Sequence, residues 1–136
     1  MVSNLIRILI VDDHALVREA LSALIGNQSD MQVAAEAENG AEAVAAFRHY
    51  HPDITLMDVR MPQMDGLEAT ARIRKEFPDA CVIILSTFNT EEEIRGARQA
   101  GACAFLLKDT ARAKLFETIR TLRNNPAHCG SFDAEE

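Results

Sequence analysis

Short apolar segments alternate with amphipathic segments five times along the 136 residues of the chain. The apolar segments are rich in β-branched residues, and their length favours buried strands. The segments between them carry apolar residues at helical spacing. We predict strands at residues 5–11, 33–37, 54–57, 81–85 and 104–107. We predict helices at 15–26, 41–48, 67–77, 91–100 and 111–123, the fourth with a capping box formed by Thr90 and Glu93.

This alternation predicts an α/β fold in which helices cover both faces of a parallel sheet. Right-handed crossover connections then bring the carboxyl ends of all the strands to one edge of the sheet. Ligands of open α/β sheets bind at that edge, where the strand order reverses. Polar residues at the strand ends are therefore the first candidates for a functional site.

Five such residues follow predicted strands that are far apart in the sequence: Asp12, Asp13, Asp58, Ser86 and Lys108. Two unit charges about 4 Å apart repel by about 4 kcal/mol at an effective dielectric constant of 20. A proton or a cation must relieve that repulsion among three carboxylates. Mg²⁺, or Mn²⁺, suits such oxygen ligands and leaves coordination positions for a phosphate oxygen.

The five residues together predict a phosphoryl-transfer site. Asp58 would be the nucleophile, while the metal and Lys108 hold the phosphoryl oxygens and Ser86 donates a hydrogen bond. The chain lacks a glycine-rich phosphate loop, which argues against a bound nucleotide as the phosphoryl donor.

The pattern resembles the receiver domain of two-component response regulators over about residues 5–123. The resemblance rests on Asp12-Asp13 after the first strand, on Asp58 in the segment MDVRMPQMDG, on Ser86, and on Lys108 after Phe105-Leu106-Leu107. The segments VDDHALVRE and LLKD are similar to the NarL/FixJ (LuxR-type) subgroup. The resemblance implies a (βα)5 flavodoxin-like, doubly wound parallel sheet with strand order 2-1-3-4-5.

Carried over residue by residue, the resemblance implies that Asp58 is the phospho-acceptor and that Lys108 pairs with the phosphoryl group. Mg²⁺ would be bound directly by Asp13 and Asp58, by Asp12 mostly through water, and by the backbone carbonyl of Arg60. These residues would support self-phosphorylation and slow autodephosphorylation, not turnover of a metabolite.

The resemblance also implies a conformational switch. Ser86 would move to hydrogen-bond the phosphoryl group, and Phe105 would change rotamer as Ser86 moves. Thr87 lies where receivers usually carry a small residue, so its bulk could slow phosphoryl entry or hydrolysis. Many receivers have a cis-proline after the lysine, whereas this chain has Asp109, for which a cis bond would cost about 3–4 kcal/mol. Both geometries of the Lys108–Asp109 bond stay open.

The same family implies partners and a domain layout. A sensor histidine kinase would donate the phosphoryl group to residues 1–124, the receiver domain. Phosphorylation would favour a homodimer, through the fourth helix, fifth strand and fifth helix or through the first and fifth helices. Residues 125–136 would be a polar tail, a linker or a cut end, and the DNA-binding output domain of the subgroup would lie outside this chain.

Composition narrows the possible partners and the location. The net charge is −7 and no basic run occurs, which argues against direct DNA binding by this chain. We expect no membrane segment and no signal peptide, hence a cytoplasmic protein. Cys81, Cys103 and Cys129 are odd in number and widely spaced, so we predict free thiols.

Three other functions compete with the switch. A phosphatase of the haloacid-dehalogenase type needs an acid two residues after the nucleophile, where this chain has Arg60. A flavodoxin-like nucleotide binder needs a phosphate loop after the first strand, where Asp12 and Asp13 would repel a phosphate. A receiver used only for docking would not need the complete set of acids and Lys108.

Overall fold

The computed structural model describes residues 4–130, in which five strands and five α-helices alternate. The strands are β1 Ile6–Val11, β2 Met31–Ala37, β3 Ile54–Asp58, β4 Val82–Ser86 and β5 Ala104–Leu107. The helices are α1 Ala15–Gly26, α2 Gly40–Tyr50, α3 Gly66–Glu76, α4 Glu91–Ala100 and α5 Arg112–Asn124, and a 3₁₀ turn at Pro126–His128 follows α5. Each predicted element is present, with ends that differ by a few residues.

The five strands form one parallel sheet in the order β2-β1-β3-β4-β5, which confirms the predicted fold class. β1 lies between β2 and β3, so the strand order reverses there. β1 and β3 are in register from Ile8 opposite Ile54 to Val11 opposite Met57. This register places Asp12 and Asp58 at the same edge of the sheet, one strand apart.

Alternating side chains of the strands fill two hydrophobic cores, one on each face of the sheet. Helices α2, α3 and α4 cover one face, and α1 and α5 cover the other. The first core includes Leu9, Val11, Met57, Ile84 and Phe105 with Phe47, Ile73 and Ile94 from the helices. The second includes Ile8, Ile10, Leu56, Ile83 and Leu106 with Ile25, Leu115 and Ile119. Burial of both faces explains why the strands are almost wholly apolar.

Side-chain caps fix where three of the helices begin. Asn39 accepts a hydrogen bond from the Glu42 backbone N–H at 2.8 Å. Asp65 does the same for Glu68, and Thr90 does so for Glu93 at 3.1 Å. The capping box predicted at α4 is therefore half formed, because the Glu93 carboxylate is instead engaged by Ser86 and Arg60.

Cys103 and Cys129 form a disulfide, so the prediction of three free thiols was wrong for this pair. Cys103 precedes β5 and Cys129 follows the 3₁₀ turn, and their Cα atoms are 4.1 Å apart. Their separation of 26 residues gave no sign of this proximity, which only the folded chain creates. Cys81 is free, and burial raises the pKa of its thiol to about 12.

The segment after α5 is attached to the domain at a second point, since the Gly130 backbone N–H donates to the Cys103 carbonyl at 3.0 Å. Residues 131–136, the rest of the predicted tail or linker, lie outside the described residues. The Lys108–Asp109 bond is trans, as are all peptide bonds from residue 4 to residue 130. None of the helices described has the length and apolarity that crossing a bilayer requires.

The disulfide predicts a redox-dependent stability. Under oxidising conditions, Cys129→Ser should lower the free energy of unfolding by roughly 3 kcal/mol, because the unfolded chain loses a cross-link. Urea unfolding with and without reductant measures this. Reductant should bring the wild type to the value of the variant, while Cys81→Ser should keep the response to reductant. If reductant leaves the free energy of unfolding of the wild type unchanged, the disulfide does not stabilise the fold.

Candidate functional site

Asp12, Asp13, Asp58 and Lys108 come together at the carboxyl edge of the sheet, as the sequence predicted. Asp12 and Asp13 follow β1, Asp58 ends β3, and Lys108 follows β5. Asp12 and Asp58 are buried, with 1% and 5% of their surface exposed. Asp13 and Lys108 are partly exposed, so solvent reaches the cluster from their side.

Lys108 connects the two buried carboxylates. Its Nζ atom lies 2.8 Å from Asp12 Oδ2 and 3.1 Å from Asp58 Oδ1. The backbone N–H of Lys108 donates to the Ser86 carbonyl at 2.8 Å, which fixes the start of its side chain above β4. The ammonium group therefore reaches across β4 and β3 to neutralise charges that belong to β1 and β3.

Burial and neighbouring charges shift the pKa values of these groups. The pKa of Asp58 is raised above its ordinary value, first by burial and then by the negative charge of Asp12, against the opposing effect of Lys108. Burial lowers the pKa of Lys108, but hydrogen bonds to Asp12 and Asp58 outweigh it, and the net shift is upward. Lys108 therefore remains positively charged, while the ionised form of Asp58 is disfavoured.

His14 is a member of the cluster that the sequence analysis missed. Its Nδ1 atom lies 3.0 Å from Asp12 Oδ1 and 3.1 Å from Asp13 Oδ1. The His14 backbone N–H also donates to Asp12 Oδ1 at 2.9 Å. His14 is the exposed N-cap residue of α1, and its position directly after the acid pair was the signal available in the sequence.

The donor set fits a divalent cation that prefers oxygen ligands. One ligand atom from each of Asp12, Asp13, His14 and Asp58 lies within 4.8 Å of the others. Within the described chain, the buried atoms Asp13 Oδ1 and Asp58 Oδ2 accept no hydrogen bond. Buried carboxylate oxygens without donors are unusual, and a cation would satisfy them.

Gly66, the first residue of α3, packs directly against the end of β3. A Cβ atom at this position would lie 1.9 Å from the Asp58 carbonyl oxygen. The Gly66 backbone N–H donates to the Val59 carbonyl at 2.8 Å. In the sequence, Gly66 was only the last residue of the segment MDVRMPQMDG, whereas the structure shows that its missing side chain lets α3 approach the acid cluster.

The predicted switch residues surround the cluster, but Ser86 is not directed at Asp58. The Ser86 side chain is buried and hydrogen-bonds the Glu93 carboxylate and, at 2.8 Å, the Phe88 carbonyl. Thr87 is exposed, and Phe105 is 4% exposed in the core under α4. Glu93 is a second polar residue near the site, which the sequence analysis treated only as part of the capping box with Thr90.

The comparisons with known proteins agree with this geometry. The family model "Response regulator receiver domain" matches residues 8–120. The chain is 40% identical over 122 residues to the uncharacterised transcriptional regulatory protein YxjL of Bacillus subtilis, covering 90% of this chain and 56% of that protein. Across the first curated relatives, the chain spans between 52% and 61% of their length.

Solved structures show the same fold. The signal receiver domain of NarL from Mycobacterium tuberculosis aligns with a TM-score of 0.84 and 32% identity, covering 90% of this chain and 98% of that one. A CheX–CheY complex with BeF₃ and Mg²⁺ from Borrelia burgdorferi aligns with a TM-score of 0.80 and 27% identity, covering 85% and 87%.

The contact between Gly66 and Asp58 predicts a strict requirement for glycine. Gly66→Ala should lower the free energy of unfolding by about 1–3 kcal/mol, because the added methyl group must push α3 away from β3. Gly26→Ala is the matched control, since a Cβ there meets nothing within 4 Å and should stabilise α1 by about 0.5–1 kcal/mol. If the two substitutions change the free energy of unfolding in urea by the same amount, α3 does not lie as close to β3 as described.

The raised pKa of Asp58 predicts that its charge destabilises the metal-free fold. The ionised carboxylate costs free energy above its raised pKa, and that cost is absent below the ordinary value of 3.8. Asp58→Asn should therefore raise the free energy of unfolding at about pH 7 without divalent metal, and the gain should shrink as the pH falls. Urea unfolding in the presence of a chelator measures this. A less stable variant would contradict the electrostatic account.

Proposed function

The chain belongs to the response regulator receiver domain family, and we propose that Asp58 accepts a phosphoryl group from a sensor histidine kinase. One observation carries this proposal. Asp58 is a buried carboxylate with one oxygen 3.1 Å from the Lys108 ammonium group and the other without a hydrogen-bond donor. A nucleophilic oxygen is thus free beside a cation that can pair with an incoming phosphoryl oxygen.

The transfer step is a displacement at phosphorus. Asp58 Oδ2 forms a bond to the phosphorus atom of a phosphohistidine, and the bond between phosphorus and the histidine nitrogen breaks. The product is an acyl phosphate on Asp58 and a free imidazole on the kinase. Lys108, already 2.8 Å from Asp12 Oδ2, stays close enough to pair with a phosphoryl oxygen after transfer.

Asp12, Asp13 and Asp58 are proposed to hold Mg²⁺, or Mn²⁺, with the Arg60 backbone carbonyl as a further ligand. The clustering of one ligand atom from each of these acids within 4.8 Å supports this assignment, as does the Mg²⁺ in the similar CheY complex. The bound ion would neutralise charge on the phosphoryl oxygens.

The chemistry proposed is one self-phosphorylation followed by slow hydrolysis, so the chain acts as a switch and not as a metabolic enzyme. Ser86 would leave its present partners to hydrogen-bond the phosphoryl group, and Phe105 would repack beneath α4. Thr87 is exposed and follows Ser86, and its bulk would slow phosphoryl entry or hydrolysis. The phosphatase alternative gains no support, because Arg60 occupies the position that needs an acid.

The relatives support a wider role for the parent protein. YxjL is named a transcriptional regulatory protein and is longer than this chain. We therefore assign residues 1–124 to the receiver and residues 125–136 to a tail or linker. A DNA-binding output domain would respond to dimerisation through α4-β5-α5 or α1 and α5, and the protein would act in the cytoplasm.

Incubation with acetyl phosphate and Mg²⁺ tests the proposal. Intact-mass measurement should show one phosphoryl group per chain, stable in acid and released by base, and a chelator should prevent it. Asp58→Asn should give no adduct and keep its fold. Asp109→Asn, an exposed acid next to Lys108, should be labelled as the wild type is. Labelling of Asp58→Asn, or none of the wild type, would overturn the assignment.

A further inference from the structure

Glu93 holds the hydroxyl group of Ser86 in the arrangement described here. Glu93 is the third residue of α4 and is 9% exposed, which is unusual for an acid beside a helix start. Its Oε1 atom accepts a short hydrogen bond from Ser86 Oγ. Its Oε2 atom accepts from the Arg60 guanidinium at 2.5 Å. One buried carboxylate thus connects the end of β4, the loop after β3 and α4.

The direction of the Ser86 side chain follows from the strand. Side chains alternate along β4, so Ser86 lies on the same face as Ile84, which packs into the core covered by α4. Glu93 comes from the first turn of that helix. The strand and helix therefore direct these side chains toward each other, independently of the acid cluster.

The bond to Glu93 is stronger than the alternatives available to Ser86 in this arrangement. A hydrogen bond to a carboxylate is roughly twice as strong as one between neutral groups. The Phe88 carbonyl, 2.8 Å from Ser86 Oγ, is a neutral acceptor. Arg60 keeps the carboxylate paired, and its guanidinium lies 5.4 Å from the centre of the Phe88 ring, which holds it over the same loop.

We infer that Glu93 is a positioning residue that competes with the phosphoryl group on Asp58 for the Ser86 hydroxyl. This inference rests on the proposed function. In the unphosphorylated chain, Glu93 keeps Ser86 bound to α4. Phosphorylation offers the Ser86 hydroxyl a second anionic acceptor. When the hydroxyl bonds to the phosphoryl group, its hydrogen bond to Glu93, which links β4 to α4, is broken. Glu93 then retains only Arg60, so the start of α4 is free to shift.

The affinity for beryllofluoride, a phosphoryl mimic, in the presence of Mg²⁺ tests the inference. Glu93→Gln keeps the shape of the side chain but offers a neutral acceptor, so beryllofluoride should bind about fivefold more tightly. Glu92→Gln is the matched control, because it removes the same charge from an exposed position on the same helical turn. It should leave the affinity unchanged.

A double-mutant cycle separates positioning from a general structural effect. In a Ser86→Ala background, Glu93→Gln should have no effect on beryllofluoride affinity, since the hydroxyl for which it competes is gone. In the wild type, the ¹³C signal of the Glu93 side-chain carboxylate should shift on binding. That second measurement stands even if the variant folds poorly.

The outcomes distinguish this inference from the proposed function. A wild type that binds beryllofluoride, with Glu93→Gln at equal or lower affinity, overturns the inference alone. A Glu93→Gln effect that persists without Ser86, or an unchanged Glu93 signal, does the same. A wild type that binds no beryllofluoride while Mg²⁺ is present overturns the proposed function and the inference with it.

Discussion

The contact of one ammonium group with two buried carboxylates is the interaction on which the site depends. The Lys108 Nζ atom lies 2.8 Å from Asp12 Oδ2 and 3.1 Å from Asp58 Oδ1. Without this ammonium group, two buried carboxylates would repel each other with no cation between them. The three residues belong to β1, β3 and the end of β5, so the contact forms only when the sheet is complete. The acid cluster is therefore a property of the whole fold, and not of any one segment.

The buried charges of the site lower the stability of the fold at the carboxyl edge of the sheet. Two apolar cores, one on each face of the sheet, stabilise the domain, while the carboxyl edge contains a carboxylate whose pKa is raised by burial and by its neighbour. Gly66 lets α3 lie against the Asp58 backbone, which leaves no room for that strand end to move away. Charge repulsion of this kind is what a bound cation can relieve.

The sequence predicted the elements and the residues at the strand ends because these depend on periodic patterns and on the rules of parallel sheets. The strand order came only from the resemblance to receiver domains. It did not predict the roles of His14 and Glu93, because each depends on a side-chain direction that spacing does not encode. Glu93 was expected only to complete the capping box with Thr90, but strand alternation turned Ser86 toward it. The Cys103–Cys129 disulfide was not predicted for a related reason, because the two residues meet only in the folded chain, at the amino-terminal end of β5.

The same disulfide attaches the segment after α5 to the start of β5. Cys103 precedes β5, so Cys129 is attached at the amino-terminal edge of the sheet, opposite the acids. Gly130, whose backbone N–H donates to the Cys103 carbonyl, therefore lies at the edge opposite Asp58. Reduction would leave the segment from α5 to Gly130 attached to the start of β5 only by noncovalent contacts such as this hydrogen bond. The covalent link thus fixes the chain at one edge of the sheet, independently of the chemistry at the other.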